Sequence, residues 1–550
     1  MTGAVTGACE AQARSLVGAT RQAGVSSLRR LALVSRVPEP ELAREIRDLC
    51  PGVVVLDVDA GAGRAGVRLV LATSGTLDAI VDLTTNGDGR ARRARELLPH
   101  LRKGGVLVLR DAARVVGADV LMRRVGPFVE AGLRASVCAG PAQGDRPPTV
   151  PVLARVGVHE THLWLVSGRR TWTKVREEEA AEYLTRMGPR AGRVLHELPA
   201  ARVVRHDEVV ASASDDAVDC ANAYDAPPLQ LREYEKPVSR RGQVVTQGRV
   251  VLPDTFRHFI RPVLTNHFIQ RVDRNFAHLR TMQSPARLEG VYFLLDSEFR
   301  GHFGHAMTEQ LSRLWAWPEV KRRYPDAKAL VHTRRPYPTL AGWEHQLYEA
   351  AGVAPADLVL VDGPVRPDRL VAATPAFSQP NYVHPAVRDV YRRTGDALAS
   401  KAPDRAYPDR IFCSRRISKR ECRNTGEVEE FFASRGFEVL FPEDYPLTEQ
   451  AQLFRSARDV AGFGGSAMLS LAFAPEPKRV ILVSADTYYV QNEAMITAIN
   501  GHRLYMAWCR GEAPPGVPIK SRARLHAPFT FDADREGAFL RRVLDGAAPA

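Results

Sequence analysis

Arg410-Ile-Phe-Cys413 runs directly into Ser414-Arg415-Arg416-Ile-Ser-Lys419-Arg420-Glu-Cys-Arg423-Asn424. A short apolar run, then a basic turn, then the helix-like stretch Val428 to Ser434 reads as one strand–turn–helix step. A second step follows it. The helix-like Leu453 to Ala457 leads into Val460-Ala-Gly462-Phe-Gly464-Gly465-Ser466-Ala467-Met468, and Val480-Ile-Leu-Val483 reads as the next strand. Repeated steps of this kind predict an α/β fold whose ligands gather at the carboxyl ends of the strands.

Upstream, the predicted strand Gly290-Val-Tyr-Phe-Leu-Leu295 enters Asp296 and then Phe299-Arg-Gly-His302-Phe-Gly-His305-Ala-Met-Thr-Glu309. Helical spacing of about 100° per residue puts His302, His305 and Glu309 on one face. Two imidazoles and a carboxylate can move a proton from an attacking hydroxyl. The same trio can hold zinc, or it can be structural, with Glu309 pairing with Arg313 one turn on. All three readings stand at this point. In the basic turn, forked guanidinium donors by a helix start suit a diphosphate, with a solvated turn as the bland alternative. The glycines Gly462, Gly464 and Gly465 would let backbone approach a ligand closely.

Farther out, Leu31-Ala-Leu-Val-Ser35, the helix-like Glu39 to Leu49, Val53-Val-Val-Leu-Asp-Val58, Ala79-Ile-Val-Asp-Leu83, a helix from Arg90 to Leu101 and Lys103-Gly-Gly-Val-Leu-Val-Leu109 form another α/β rhythm. It resembles the nucleotide-binding half of class I methyltransferases. The loop Gly61-Ala-Gly63-Arg-Ala-Gly66 could serve a cofactor if a helix opened at its third glycine. Val67-Arg-Leu-Val-Leu71 reads instead as another strand, and two strand–helix pairs are missing between Asp57 and Asp78. Bound S-adenosylmethionine is therefore not expected. Gly140 to Pro151 reads as a boundary, Arg155 to Ser167 as β-structure, Arg176 to Met187 as a helix and Ala211 to Pro228 as a linker. Arg535 to Leu544 reads as a closing charged helix.

At 550 residues and 45% hydrophobic content the chain can build two or three cores. No run approaches the ~20 apolar residues of a membrane span, and the first residues lack a signal-like apolar stretch. The seven cysteines are scattered, so a soluble, cytoplasmic protein is expected, with peripheral membrane contact left open. The net charge is +13, but only 9 of the 76 basic residues are Lys and no basic–aromatic stripe appears. Nucleic acid is not expected as a partner.

Together the histidine segment, the Ser-Arg turn and the Gly loop resemble glycosyltransferase family 61, over roughly Leu229 to Glu512. The resemblance implies two Rossmann-like domains of GT-B type facing a cleft, here preceded by an additional Rossmann-like α/β domain. It also implies inverting hexosyl or pentosyl transfer from a nucleotide-sugar co-substrate to a hydroxyl of a glycan, cell-surface or secondary-metabolite acceptor, as in polysaccharide biosynthesis, with no essential metal. By position, His305 and Glu309 match the catalytic pair, with His302 and Arg313 on the acceptor side. Ser414, Arg415, Arg420, Asn424, Glu427, Gln450, Gly462, Gly464, Gly465 and Ser466 fall on the donor side.

Two departures stand out: Gly464 replaces the family's loop histidine, and Val480 to Val483 lacks the acid expected near that strand's end. They keep alive a catalytically inactive glycan-binding protein, beside a bifunctional methyltransferase and glycosyltransferase. The expected domains are 1–150, 151–228, 229–400, 401–515 and a tail at 516–550. Donor sugar, acceptor, linkage and oligomeric state are not written in these motifs.

Overall fold

The computed structural model describes residues 2–84, 90–111, 153–205, 209–212, 214, 220–279, 283–334, 336–416, 419–488, 490–514, 516–518 and 521–546. The expected boundary at Gly140 to Pro151 and positions 213 and 215–219 of the expected linker at Ala211 to Pro228 lie outside these residues, while Ala223–Ala226 of that linker is a strand. The chain divides into two compact units, one of residues 1–193, 234–288 and 363–368, the other of 194–233, 289–362 and 369–550.

In the first unit, β1 (Arg30–Ser35), β2 (Val54–Asp59), β3 (Leu77–Asp82) and β4 (Leu101–Leu109) are parallel, and β5 (Leu153–His159) and β6 (His162–Ser167) close the sheet as an antiparallel hairpin. The strand order is β2-β1-β3-β4-β6-β5. Both faces of the sheet are covered, which is why its central strands are continuous apolar runs. Leu31 and Leu33 pack with Leu16 and Val17 of α1 (Thr2–Gln22) and with Leu42 and Ile46 of α2 (Pro40–Leu49). Their neighbours Ala32 and Val34 face a second cluster with Leu71, Leu97 and Leu107.

One expectation is overturned here. Val67 to Leu71 is not a strand but lies inside α3 (Gly63–Thr73), which opens at the second glycine of the loop. Parallel β2 and β3 flank β1, so the chain between them must cross over the sheet, and a crossover is made by a helix. Burial then overrides the β-propensity of the Val and Leu side chains: Leu69 and Leu71 are covered, and the buried Arg68 guanidinium bonds the Lys174 carbonyl at 2.7 Å and pairs with Glu179.

At the base of β3, the Asp78 carboxylate accepts the Arg29 and Arg30 amides at 2.8 and 3.0 Å and Arg102 Nε at 2.6 Å. Burial alone would raise its pKa, but the Arg102 bond and the two amides hold the carboxyl below its ordinary value. A depressed pKa stabilises the fold above the unfolded value of about 4 and ceases to do so as pH falls through the folded one. Asp78→Asn is therefore expected to cost roughly 1–2 kcal/mol at neutral pH. It should also flatten the loss of stability between pH 5 and 2 in urea titrations; an unchanged acid limb would refute this role.

The second unit carries two sets of parallel strands, the smaller of which belongs to a mixed sheet. The strand Ala286–Leu294 pairs over Tyr292 to Leu294 with Lys328–His332, which pairs with Leu358–Val361. The larger sheet runs Glu438–Leu440, Arg410–Cys413, Asp459–Phe463, Arg479–Ala485 and Arg503–Gly511, with the short strand Val210–Ala211 at its edge, all parallel. Its face packs Phe412, Phe432, Phe463 and Ile481 against Leu540 of the closing helix Glu536–Leu544. The strand read as Val480 to Val483 extends to Ala485, so an acid, Asp486, does follow its end.

Candidate functional site

The histidine segment begins where the strand Ala286–Leu294 ends. Asp296 and Ser297 are buried there, and a helical turn, Phe303–His305, passes into a wider π-helical turn, Ala306–Gln310. Such turns are frequent at functional sites. Within it, Glu309 Oε1 lies 2.7 Å from His305 Nδ1, and Ser297 Oγ donates to Glu309 Oε2 at 2.9 Å. Both carboxylate oxygens are thus engaged within the protein. A neutral His305 that donates from Nδ1 keeps its lone pair on Nε2, the atom able to accept a proton. The Phe299 ring stacks on His305 with centroids 4.6 Å apart and 19° between planes, which fixes the imidazole's orientation.

His302 does not share the helical face that spacing predicts. It precedes the helix in extended backbone (φ −116°, ψ 118°) and meets His305 edge to face at 5.0 Å. Its ring is crowded by protein and repelled by His305 and Lys419, which together hold its pKa down to about 4. Arg313, placed on the acceptor side from sequence, is buried and donates to the Asp296 carbonyl at 2.9 Å. It braces the turn beneath the histidines.

The residues expected on the donor side divide into two groups. Arg415 Nη1 donates to the Gly464 carbonyl at 3.3 Å and Nη2 bonds the Arg420 carbonyl, while the guanidinium lies 5.1 Å from the Phe463 ring centroid. Burial, then repulsion from Arg420, lowers its pKa to about 10, so it stays cationic at neutral pH. Arg420 sits in a left-handed backbone conformation (φ +56°) that carries its side chain over Tyr488, 5.2 Å from the ring centroid. Two guanidiniums thus converge beside the Gly464–Gly465 loop at the carboxyl ends of two strands. At Gly465 (φ +154°) an added Cβ would come within 3.0 Å of Arg420 Nη2. Glycine here keeps room for that arginine.

The remaining residues expected on the donor side act as braces. Ser414 is fully buried and bonds Glu429. Asn424 Nδ2 bonds Glu427 and the Phe531 carbonyl, both at 2.8 Å, and Gln450 Nε2 bonds the Tyr445 carbonyl at 3.0 Å. Gly462 is required by packing, since a Cβ there would lie 2.6 Å from Met468 Sδ and 2.8 Å from the Cys413 carbonyl oxygen. Ser466 Oγ lies 3.0 Å from where a Cβ on Gly304 would stand, so the glycine loop and the histidine turn meet at van der Waals distance. This approach joins the two halves of the site.

Sequence reading passed over Glu493 and Tyr488. Buried Glu493 accepts the Gly465 amide at 2.7 Å and the Tyr488 hydroxyl at 3.0 Å, and burial raises its pKa. The only signal was a lone carboxylate in the first turn of the otherwise uncharged helix Asn492–Asn500. The acid at the strand end is also present: Asp486 accepts the Gly511 amide at 3.0 Å and the Ser214 hydroxyl at 2.9 Å.

The other departure has a steric reason. A Cβ on Gly464 would stand 3.1 Å from both Ser484 Oγ and Tyr488 Cε1. Gly464→His should therefore destabilise the chain by about 1–3 kcal/mol through overpacking. An equal or higher Tm in calorimetry would contradict this packing.

The model of the family described as Glycosyltransferase 61 matches residues 303–481, which hold the histidine turn, the arginine turn and the glycine loop. The search of curated proteins matched none. Among solved structures, MycE methyltransferase from the mycinamycin biosynthetic pathway, in complex with Mg and SAH, is similar at 15% identity and a TM-score of 0.22 over 26% of this chain and 46% of that one. A release-factor-specific protein-(glutamine-N5) methyltransferase from Alicyclobacillus acidocaldarius is similar at 20% identity and a TM-score of 0.21 over 30% of this chain and 93% of that one. The chain spans about half the length of the MycE structures it matches.

Proposed function

We propose that the second unit transfers a sugar from a nucleotide-diphosphate donor to a hydroxyl of a glycan or related acceptor, with inversion at the anomeric carbon. The acceptor oxygen attacks that carbon while its proton passes to His305 Nε2 and the bond to the diphosphate breaks. Glu309 keeps His305 in the right tautomer and carries charge opposite to the imidazolium that forms. Arg415 and Arg420, with the backbone of the Gly464–Gly465 loop, meet the charge that builds on the leaving diphosphate. No metal or S-adenosylmethionine is assigned a role.

The observation that carries this reading is the His305–Glu309 pair held at 2.7 Å in a turn that touches the arginine-lined glycine loop. A proton acceptor and an anion receptor side by side are what an inverting transfer requires. The test is a panel of nucleotide sugars in thermal-shift and turnover assays. A donor present at about 100 times its Kd should stabilise the native chain by about 2.7 kcal/mol. A panel that neither shifts the melting temperature nor turns over with any glycan acceptor would refute the assignment.

A further inference from the structure

The segment Ser521 to Phe531 lies beyond the matched residues 303–481, yet it is bonded to the arginine turn itself. The Phe529 amide donates to the Glu421 carbonyl at 2.9 Å, the Arg423 amide donates to the Phe529 carbonyl at 2.8 Å, and Cys422 and Phe529 form a parallel bridge. Asn424 completes the junction, since its Oδ1 accepts the Phe531 amide at 2.9 Å and its Nδ2 donates to the Phe531 carbonyl at 2.8 Å. Phe529 is fully buried in the core of the larger sheet, and the Glu512 amide donates to the Pro528 carbonyl at 2.8 Å. The segment is therefore fixed from both sides, immediately after Arg420 in space.

Just before this junction stands the helical turn Arg522–Leu525, capped by Ser521 Oγ accepting from the Arg524 amide at 3.3 Å, with His526 directly after it. The His526 imidazole is held below its ordinary pKa, first by burial and then by repulsion from Arg420, Arg522 and Lys419. The neighbouring carboxylates are committed elsewhere: Glu421 and Glu512 pair with Arg423, and Glu493 accepts from Gly465 and Tyr488. Arg420 Nε and His526 Nδ1 are buried without a hydrogen-bond partner among the described residues. Arg420 Nε is thus a buried cationic donor without a partner, with the Lys419 and Arg522 charges acting on the same imidazole, and such a group is costly unless an anion lies beside it.

We propose that Arg522 and His526 form a second wall of the anion site, beside Arg420, closing over the diphosphate of the donor or of the released nucleotide. This rests on the sugar-transfer reading and extends it to a segment outside the matched residues. The tail then has two jobs in one stretch: its strand holds the arginine turn, and its helical turn supplies charge to the phosphates.

The test uses the full chain and inorganic pyrophosphate in isothermal titration calorimetry. The double variant R522Q/H526Q should weaken binding about tenfold or more, as expected for loss of charge-assisted hydrogen bonds. R541Q/R542Q, which removes two exposed charges of the closing helix, should bind within about twofold of the unaltered chain, as expected for screened surface charges. Should the double variant fold poorly, R522Q alone removes an exposed side chain and should still weaken binding. If R522Q/H526Q or a folded R522Q binds as tightly as the unaltered chain while R420Q loses binding, the second wall is refuted and the sugar-transfer reading survives. If the unaltered chain binds neither pyrophosphate nor any nucleoside diphosphate, both fall.

Discussion

His305→Ala is expected to lower kcat by about 10²–10⁴, the usual contribution of a positioned general base, while leaving nucleotide affinity within a few-fold. Two bonds in series support so large an effect: Ser297 holds Glu309 at 2.9 Å, and Glu309 holds His305 at 2.7 Å. Phe299 stacked on the imidazole removes the remaining rotation. Removing the imidazole removes the proton acceptor but none of the groups assigned to phosphate, so binding and chemistry should separate.

Glu309→Gln should cost less than the histidine, because the ring remains but its tautomer and its imidazolium are no longer supported. Added imidazole should partly restore the alanine variant, which a merely structural histidine would not allow. A His305→Ala enzyme with unaltered kcat would remove the histidine from the mechanism. One that loses nucleotide binding together with turnover would instead place it on the donor side.

The parts of this fold that were legible in the sequence are those where burial acts on one short element at a time. Leu31 to Ser35 and Arg410 to Cys413 read as strands because each is an apolar run covered on both faces, and Val53 to Val58, an edge strand with Val54 exposed, reads as one from its run of β-branched residues. The helix α3 was misread because Val67, Leu69, Val70 and Leu71 are strand-like as a string. Only the crossover between parallel β2 and β3 makes them helical, and that constraint comes from the pairing of distant strands. Helix α1 gave no signal for a related reason: its Gly, Ala and Thr residues carry a weak pattern until the sheet face covers Ala13, Leu16 and Val17.

The site divides along the same line. Spacing along the chain brought out His305 with Glu309, and Arg415 with Arg420, since each pair belongs to one local segment. It could not show that Asn424 serves Phe531, that Gly462 exists for Cys413 and Met468, or that Glu493 holds the Gly465 amide. Those jobs are set by contacts across the sheet, and a motif position carries no sign of whether its side chain meets ligand or protein. Asp486 shows how small the margin is. A strand two residues longer than its apolar run suggests is enough to hide the acid at its end.

Arg415→Lys should reduce kcat/KM by about 10²–10³, in the range seen when one preorganised donor to developing charge is lost, although the positive charge is kept. Arg415 reaches two carbonyls at once, those of Gly464 and Arg420, and its flat guanidinium lies over Phe463. A lysine ammonium is a single point on a flexible stem and cannot span both carbonyls while stacking on a ring. The glycine loop and the turn that carries Arg420 would then lose their common tie, so the second arginine should be displaced with the first. For that reason Arg415→Lys and Arg420→Gln should be non-additive, the double variant falling well short of the product of the two single losses. Strict additivity in a double-mutant cycle would mean that the two guanidiniums contact the donor independently, and that the carbonyl bonds of Arg415 organise nothing beyond their own side chain.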